Sequence, residues 1–229
     1  MALYPDAAQA WAQLHRIRSD RIVAIPNAAS ADRFTPASPD VRRAARHRLG
    51  LRDDLRWVGL VGSLTEEKRP LDAVALVRAD PSLGLVVAGS GPLRGEVDAA
   101  TATFRDRVRV LGAVADTQSV YAAVAAVLIT SRTEGIPAVA IEAGLSGLPV
   151  VATRVGGLPE VVLSGVTGEL FPVGDVSAGR AALVRALGQA ATLGPAARRL
   201  CQERFTLDVV ADAWERLLVE VVHGGRDDG

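Results

Sequence analysis

Two glutamates separated by seven residues lie in the segment with the clearest chemistry. We predict that Glu134 lies in a strand-to-helix loop and that the next helix begins at Pro137. The amides of Ala138 and Val139 are then free to bind phosphate or hydroxyl oxygens. A carboxylate accepts paired hydrogen bonds from a diol, so Glu134 suits a sugar and Glu142 suits a ribose. In the alternative interpretation, Glu134 only favours the helix dipole and Glu142 faces solvent.

Three other predicted strands are also followed by turns that contain glycine. Gly62 allows a close backbone approach to a ligand, and Lys68, just before a helix, can reach a diphosphate as a point charge. Taken alone, this turn is explained better as a solvated segment. The turns at 89–93 and 155–160 are explained equally well as plain tight turns. Together, however, the four loops predict a cleft with amide donors, one lysine and two carboxylates, which suits a diphosphate carrying diols.

The elements that position these loops are short apolar runs that alternate with amphipathic segments. Continuous apolar runs are typical of parallel strands buried on both faces, and the alternation indicates βαβ units. We therefore predict an α/β fold: a Rossmann-like, doubly wound, mostly parallel sheet of about six strands with helices on both faces, followed by C-terminal helices. The predicted strands are 21–25, 56–61, 84–88, 107–111, 127–130 and 150–153. The predicted helices are 7–19, 39–50, 70–81, 116–124, 137–147, 175–193, 195–203 and 207–222, with a frayed tail at 224–229.

Composition excludes several classes of function. Hydrophobic residues make up 49% of the 229 residues, and 26 basic residues balance 26 acidic ones, so nothing predicts nucleic-acid or membrane binding. Cys201 is the only cysteine and is predicted to be buried, while the three histidines are predicted to lie on the surface. No metal cluster is expected. We find no signal peptide and no apolar run long enough to span a bilayer, and we predict a cytoplasmic location.

The loop segments resemble those in the C-terminal, donor-binding half of family-four retaining glycosyltransferases of the GT-B type. The resemblance runs in the family's order from residue 23 to residue 222. Five segments carry it: Ile25-Pro26-Asn27-Ala28; Val61-Gly62-Ser63-Leu64 with Lys68; Val87-Ala88-Gly89-Ser90-Gly91-Pro92-Leu93; Glu134-Gly135-Ile136-Pro137 with Glu142-Ala143; and Val155-Gly156-Gly157-Leu158-Pro159-Glu160 with Gly165-Val166-Thr167-Gly168.

The resemblance implies a role for each part of the cleft. Glu142 would hold the donor ribose, the catalytic residue Glu134 would contact the transferred sugar, and the catalytic residue Lys68 would hold the diphosphate. The other implied donor-binding positions are Gly62, Ser63, Gly89, Leu111, Val114, Gly135, Ile136, Pro137, Ala138 and Val139, with the base near 111–114. The resemblance implies a nucleotide-diphosphate sugar as the substrate and no metal or other cofactor.

Two departures from the family pattern carry consequences. The family often has arginine where this chain has Ser63, and losing such a charge-assisted contact costs about 1.5–3 kcal/mol. Arg69 and Arg154 are candidate replacements. The second departure is the missing N-terminal, acceptor-binding domain. We expect residues 1–20 to be the remnant of that domain's last helix, 21–205 the nucleotide-sugar domain, and 206–229 a cross-over helix and tail.

These departures leave more than one function open. The first is a donor domain that is inactive without the N-terminal domain, supplied by a separate chain. Self-association through the exposed interdomain face, around Trp214, is the other expected partnership. The first alternative is a non-catalytic or split module that binds nucleotide or a partner. The second is a nucleotide-sugar epimerase of the same fold, which the segment Glu134-Gly135-Ile136-Pro137 favours less.

Overall fold

Six short strands in the computed structural model, which describes residues 2–224, form one parallel sheet. The strands are β1 (Arg56–Val61), β2 (Leu83–Ala88), β3 (Val108–Gly112), β4 (Ala126–Ile129), β5 (Val150–Thr153) and β6 (Gly168–Phe171). Their order is β3-β2-β1-β4-β5-β6, and all five pairings are parallel. The predicted doubly wound α/β fold is confirmed. The order reverses between β1 and β4, where the loops diverge and leave a crevice.

Helices connect and cover these strands. They are α1 (Pro5–His15), α2 (Pro39–Arg48), α3 (Pro70–Arg78), α4 (Arg94–Ala100), α5 (Gln118–Ala123), α6 (Ala138–Leu145), α7 (Leu158–Val161), α8 (Val176–Gly188), α9 (Ala190–Arg204) and α10 (Leu207–Gly224). Two 3-10 helices lie at Ser19–Arg21 and Ala102–Arg107. Pro39 and Pro70 begin α2 and α3 as predicted, because proline lacks the amide that a first turn leaves unpaired. Ser38 adds a side-chain cap before Pro39 and accepts from the Val41 amide at 3.3 Å.

The sheet separates two hydrophobic clusters, one on each face. In β1, Trp57 belongs to one cluster while Val58 and Leu60 belong to the other. In β2, Val86 and Val87 divide in the same way. Because side chains alternate along a strand, continuous apolar runs are needed when both faces are covered. This burial explains why the strands could be predicted from runs of apolar residues.

Two predicted elements were wrong, and one strand was missed. The run 21–25 is not a strand, because its one strand-type pairing within residues 2–224 is the isolated bridge of Ala24 to Ala2. Strand β6 was missed because Glu169 interrupts its apolar pattern; that carboxylate is buried and pairs with Arg185 at 2.9 Å. The predicted helix 175–193 is two helices, and the second begins at Ala190, so Pro195 lies inside α9 rather than at its start.

The two terminal helices expose apolar stripes. In α10, only the beginning packs well, and Trp214, Leu218, Val221 and Val222 are between 38% and 64% exposed along one face. In α1, Trp11 is also exposed. No helix within residues 2–224 has the length and apolarity needed to cross a membrane. The predicted frayed tail falls outside the described residues, apart from Gly224 at the end of α10.

We expect the stripe on α10 to cause self-association of the chain. Replacing Leu218 and Val222 together by glutamate should raise the monomer fraction in sedimentation velocity, because charge on this face opposes its burial. Val184→Glu is the matched control, since Val184 is a single exposed apolar residue on α8. A wild-type chain that stays monomeric at high concentration would contradict the expectation.

Candidate functional site

A small cavity of about 70 Å³ opens between the carboxyl ends of β1 and β4. This is the place where the strand order reverses, and ligands of doubly wound sheets bind there. The polar side chains in its lining are those of Ser63, Lys68, Thr130, Ser131 and Glu134. The cavity therefore brings together six of the predicted positions: Gly62, Ser63, Lys68, Glu134, Pro137 and Val139.

An ion pair crosses the cavity between the two loops. Lys68 Nζ donates to Glu134 Oε1 at 2.7 Å, and Ser131 Oγ donates to the same oxygen at 2.6 Å. The Glu134 side chain is only 8% exposed, whereas that of Lys68 is 32% exposed. A carboxylate that is nearly buried needs this pairing, since burying an unpaired charge is costly. The pair also leaves the ammonium group accessible to a ligand.

The backbone that carries Lys68 is fastened to the loop after β4. The Thr130 hydroxyl lies 2.9 Å from the carbonyl oxygens of both Lys68 and Arg69, and the Arg132 amide donates to Glu67 O at 2.7 Å. These contacts satisfy backbone groups that the loops would otherwise leave unpaired. They also fix the spacing between the ammonium and the carboxylate.

Lys68 is the only lysine in the chain, since 25 of the 26 basic residues are arginine. Arginine presents a wide planar fork, whereas lysine presents a compact ammonium group with three rotatable donors. At this one position the chain thus has a point charge, next to a buried carboxylate in a narrow cavity. The choice of residue fits a site that holds a small anionic group.

The loop from Glu134 to Ile136 is shaped by contacts with the turn after β5. A Cβ atom on Gly156, whose φ is +51°, would lie 1.7 Å from the Glu134 carbonyl oxygen. The Gly157 amide donates to Gly135 O at 2.9 Å, and Asn27 Nδ2 donates to Ile136 O at 2.6 Å. A glycine pair before a helix can also allow a ligand to approach the backbone closely. In the structure it instead receives the Glu134 loop, so the tight-turn interpretation is the better one.

Gly89 has a similar packing function beside β1. Its own Cβ would lie 1.7 Å from the Gly62 carbonyl oxygen, so the loops after β1 and β2 can touch only because Gly89 has no side chain. Gly89 does not line the cavity. At Gly62, by contrast, the space that a Cβ atom would take is open within residues 2–224. Of these two glycines, only Gly62 therefore leaves room for a ligand beside the cavity.

The start of α6 differs slightly from the prediction. Pro137 is extended, with ψ 133°, and precedes the helix, which begins at Ala138. The Ala140 amide donates to Pro137 O at 3.0 Å, while the amides of Ala138 and Val139 have no acceptor within the part of the chain that the structure describes. The expected pair of free amides is therefore present, one residue nearer the helix start than predicted.

Glu142 does not line the cavity, although it lies on the same helix. Its Oε2 atom accepts from the Tyr121 hydroxyl at 2.8 Å and is 3.4 Å from Thr117 Oγ1, so α5 holds the carboxylate. The alternative that Glu142 simply faces solvent is wrong. Burial, followed by the charge of Glu142 and the hydrogen bond to it, raises the pKa of Tyr121. Tyr121 therefore stays a protonated donor at neutral pH.

Several other predicted positions also lie outside the cavity. Ile136 is buried, Gly135 lies under the Leu3 side chain, and Ala138 is exposed. Leu111 and Val114 are half-buried and pack against the cluster that contains Tyr121. The cavity thus collects some of the predicted diphosphate and sugar positions and none of the predicted base and ribose positions.

The family often has arginine where this chain has Ser63, and Arg69 and Arg154 are the candidate replacements. Neither of them lines the cavity. Arg69 pairs with Asp72 at 2.7 Å and points toward Gly174. Arg154 is exposed, and its amide donates to Phe171 O at 2.8 Å. No group of three potential metal ligands occurs within residues 2–224.

Sequence reasoning assigned no role to five polar residues that support the site: Asn27, Thr117, Tyr121, Thr130 and Ser131. Two of them had a usable signal. Thr130 and Ser131 follow β4 directly, where polar residues at the carboxyl end of a parallel strand face the ligand edge. Tyr121 lies among alanines and valines on α5, and only the structure shows that its hydroxyl reaches Glu142.

Residues 40–189 match the family described as "Glycosyl transferases group 1". The chain belongs to this family. The match spans the sheet from β1 to β6 and includes Lys68, Glu134 and Glu142. The resemblance noted from the loop segments is therefore confirmed at the level of the family.

Among curated group 1 relatives, the D-inositol 3-phosphate glycosyltransferase of Mycolicibacterium smegmatis is 33% identical over 178 residues. The aligned region covers 74% of this chain and 40% of that enzyme. The chain therefore spans less than half the length of this relative.

Solved structures share the group 1 fold. Anabaena HepE in complex with UDP superposes with a TM-score of 0.88 at 24% identity, over 96% of this chain and 63% of that one. The C-terminal domain of a group 1 family protein (LpcC) from Francisella tularensis superposes with a TM-score of 0.69 at 19% identity. That comparison covers 78% of this chain and 99% of the Francisella chain.

Gly156→Ala should destabilise the fold by about 2–4 kcal/mol, because a methyl group would collide with the Glu134 carbonyl at a strained φ. Gly165→Ala is the matched control, since Gly165 also has a positive φ, +76°, but open space around it. It should cost about 1 kcal/mol from backbone strain alone. Urea unfolding of both variants measures the difference. Equal losses would show that the contact with the Glu134 loop carries no energy.

The free energy of unfolding should fall as pH rises above about 9–10. Burial raises the pKa of Tyr121 above its ordinary value of 10.0 and raises the pKa of Cys201 from 9.0 to about 12. Both groups ionise earlier in the unfolded chain, so unfolding releases protons in this range. Tyr121→Phe should flatten the decline above pH 10 in urea titrations between pH 8 and 11. An unchanged slope would contradict this prediction.

Proposed function

We propose that this chain binds the nucleotide-diphosphate sugar of a retaining group 1 glycosyltransferase. The observation that carries the proposal is the cavity at the β1–β4 boundary, where the only lysine of the chain faces a nearly buried glutamate. When sugar hydroxyls bind Glu134, Lys68 loses its partner. A diphosphate then provides the anion that pairs with Lys68. Support also comes from HepE, a protein of the same fold, which was crystallised with UDP and with UDP-glucose.

In the proposed complex, the donor separates the ion pair and gives each of its two residues a new partner. Lys68 turns its exposed ammonium toward the diphosphate, and the free amides of Ala138 and Val139 bind phosphate or sugar oxygens at the start of α6. Glu134, still held by Ser131, then accepts from hydroxyls of the sugar. The exchange keeps Lys68 paired with an anion and Glu134 hydrogen-bonded, which partly buried charges require.

The rest of the donor extends along the sheet edge. The cavity of about 70 Å³ holds only part of such a molecule, because sites for drug-sized ligands occupy roughly 300–1,000 Å³. We assign the ribose to Glu142 and the base to the region of Leu111 and Val114, with Gly62, Ser63 and Gly89 on the diphosphate side. No metal or further cofactor is part of the proposal.

In the transfer step, the bond between the anomeric carbon and the diphosphate oxygen breaks while a bond to the acceptor oxygen forms with retention. The electron pair of the broken bond passes to the diphosphate, where Lys68 and the helix amides stabilise the negative charge. We assign the acceptor site, and any group that takes the acceptor proton, to the part of the relatives that this chain does not span. Turnover by this chain alone is therefore not expected.

The test is calorimetric titration with UDP and UDP-glucose, with ADP and GDP for comparison of the base. Lys68→Ala and Glu142→Ala should each weaken UDP binding by about tenfold or more, since a hydrogen bond to a charged group contributes about 1.5–3 kcal/mol. Arg180→Ala, an exposed cation on α8, is the matched charge control. If none of these nucleotides gives a binding heat, the proposal is wrong.

Two further readouts sharpen the test. Reductive methylation with ¹³C-formaldehyde labels one lysine side chain, and its resonance should shift on adding UDP. Ser63→Arg should strengthen UDP binding, because it adds a cation to the cavity lining beside Lys68. UDP-glucose incubated with the chain alone should stay unchanged, whereas an epimerised sugar would favour the alternative epimerase.

A further inference from the structure

The carboxylate of Glu142 is held by one oxygen only. Tyr121 donates its hydroxyl to Oε2, and the Thr117 hydroxyl lies near the same atom, while Oε1 has no protein partner within residues 2–224. Glu142 is half-buried, and Oε1, which lacks a partner, is accessible from outside the core. A carboxylate fixed through one oxygen presents the other in a defined direction. Such an arrangement suits recognition of a hydroxyl group.

Tyr121 is a rigid support for this carboxylate. The residue is 2% exposed, and its ring meets the edge of Phe34 at a centroid distance of 5.8 Å. Its hydroxyl donates to Glu142 and to no other acceptor in the described part of the chain. A buried hydroxyl needs a hydrogen-bond partner, so the ring and the carboxylate constrain each other. Phenylalanine would fill the same space without providing the donor.

The residues proposed to lie near the base pack against the same cluster as the Tyr121 ring of this pair. Leu111, Val114 and Val139 are only partly buried and pack against the cluster that contains Tyr121. An apolar surface therefore lies on the same side of the sheet as the supported carboxylate. Apolar contact beside an oriented acceptor is the usual composition of a small-molecule site.

We propose that Tyr121 is a positioning residue for the donor, which fixes Glu142 so that Oε1 accepts hydrogen bonds from the ribose diol. This inference rests on the proposed function and adds a residue that acts through Glu142 rather than on the ligand. Thr117 makes a smaller contribution, because its contact with Oε2 is longer. The ring of Tyr121 packs the core, while its hydroxyl sets the ribose specificity.

The experiment compares UDP with 2′,3′-dideoxy-UDP by calorimetry, because the analogue lacks only the two hydroxyls. The wild-type chain should prefer UDP by about tenfold, the value of one hydrogen bond to a charged group. In Tyr121→Phe this preference should fall to about twofold, with affinity for the dideoxy analogue nearly unchanged. Glu142→Gln should lose the preference too, and the double variant should lose little more.

Matched controls separate positioning from packing. Ser119→Ala removes a hydroxyl from the same helix that bonds Asp116 O rather than Glu142, and it should keep the full preference. Thr117→Val should reduce the preference for UDP partially. If Tyr121→Phe does not fold, Thr117→Val still tests whether hydrogen bonds to the Glu142 carboxylate set that preference. Circular dichroism and thermal unfolding check the fold of each variant.

The outcomes distinguish the two proposals. If Tyr121→Phe is folded and keeps the tenfold preference, the hydroxyl has a structural role only and the inference is overturned, while the proposed function stands. Equal binding of UDP and the analogue by the wild-type chain also overturns it, since the diol is then not recognised. Absence of binding of UDP, UDP-glucose, ADP and GDP alike by the wild-type chain overturns the proposed function itself.

Discussion

The site depends on one charge pair that joins two loops leaving the sheet in opposite directions. Lys68 and Glu134 belong to segments after β1 and β4, which are neighbours in the sheet although 66 residues apart in the chain. Bringing a carboxylate to 8% exposure removes most of its hydration, and the ammonium together with the Ser131 hydroxyl compensates for that loss. If the loops separated, Glu134 would lose its ion pair and keep only the Ser131 hydroxyl.

Backbone contacts between the loops hold the two charged side chains at a fixed separation. Gly156 allows the Glu134 carbonyl to approach closely, and Gly89 does the same for the Gly62 carbonyl. Each of these glycines touches the backbone of another loop, so the loops after β1, β2, β4 and β5 form one connected layer. Rigid loops on a buried parallel sheet hold side chains more exactly than loops that end freely in solvent.

The sequence predicted the sheet well where burial is two-sided. Strand β5 was located correctly at both ends, because a short unbroken apolar run is typical of a strand buried on both faces. Strand β6 was missed, since the ion pair of Glu169 with Arg185 forms only when the chain has folded. The prediction of a strand at 21–25 was wrong, because a strand needs a neighbour along its length and this run has only the bridge to Ala2 within residues 2–224.

The site was predictable where it follows the strands and unpredictable where it depends on contacts between distant loops. Lys68 and Glu134 both follow strand ends, so one edge of the sheet was enough to place them together. The Tyr121 hydroxyl and the glycine at 156 act on residues about 20 positions away, and no local pattern reports such a contact.

The uneven use of basic residues has a chemical consequence of its own. Within this chain, any acyl group that reacts with a lysine side chain, whether acetyl, succinyl or ubiquitin, has a single destination, Lys68. Acylation there removes the positive charge and places bulk at the mouth of a cavity of about 70 Å³. The metabolic state that supplies reactive acyl donors would thereby act on this one side chain, and the remaining basic surface, made of arginine, would keep its charge.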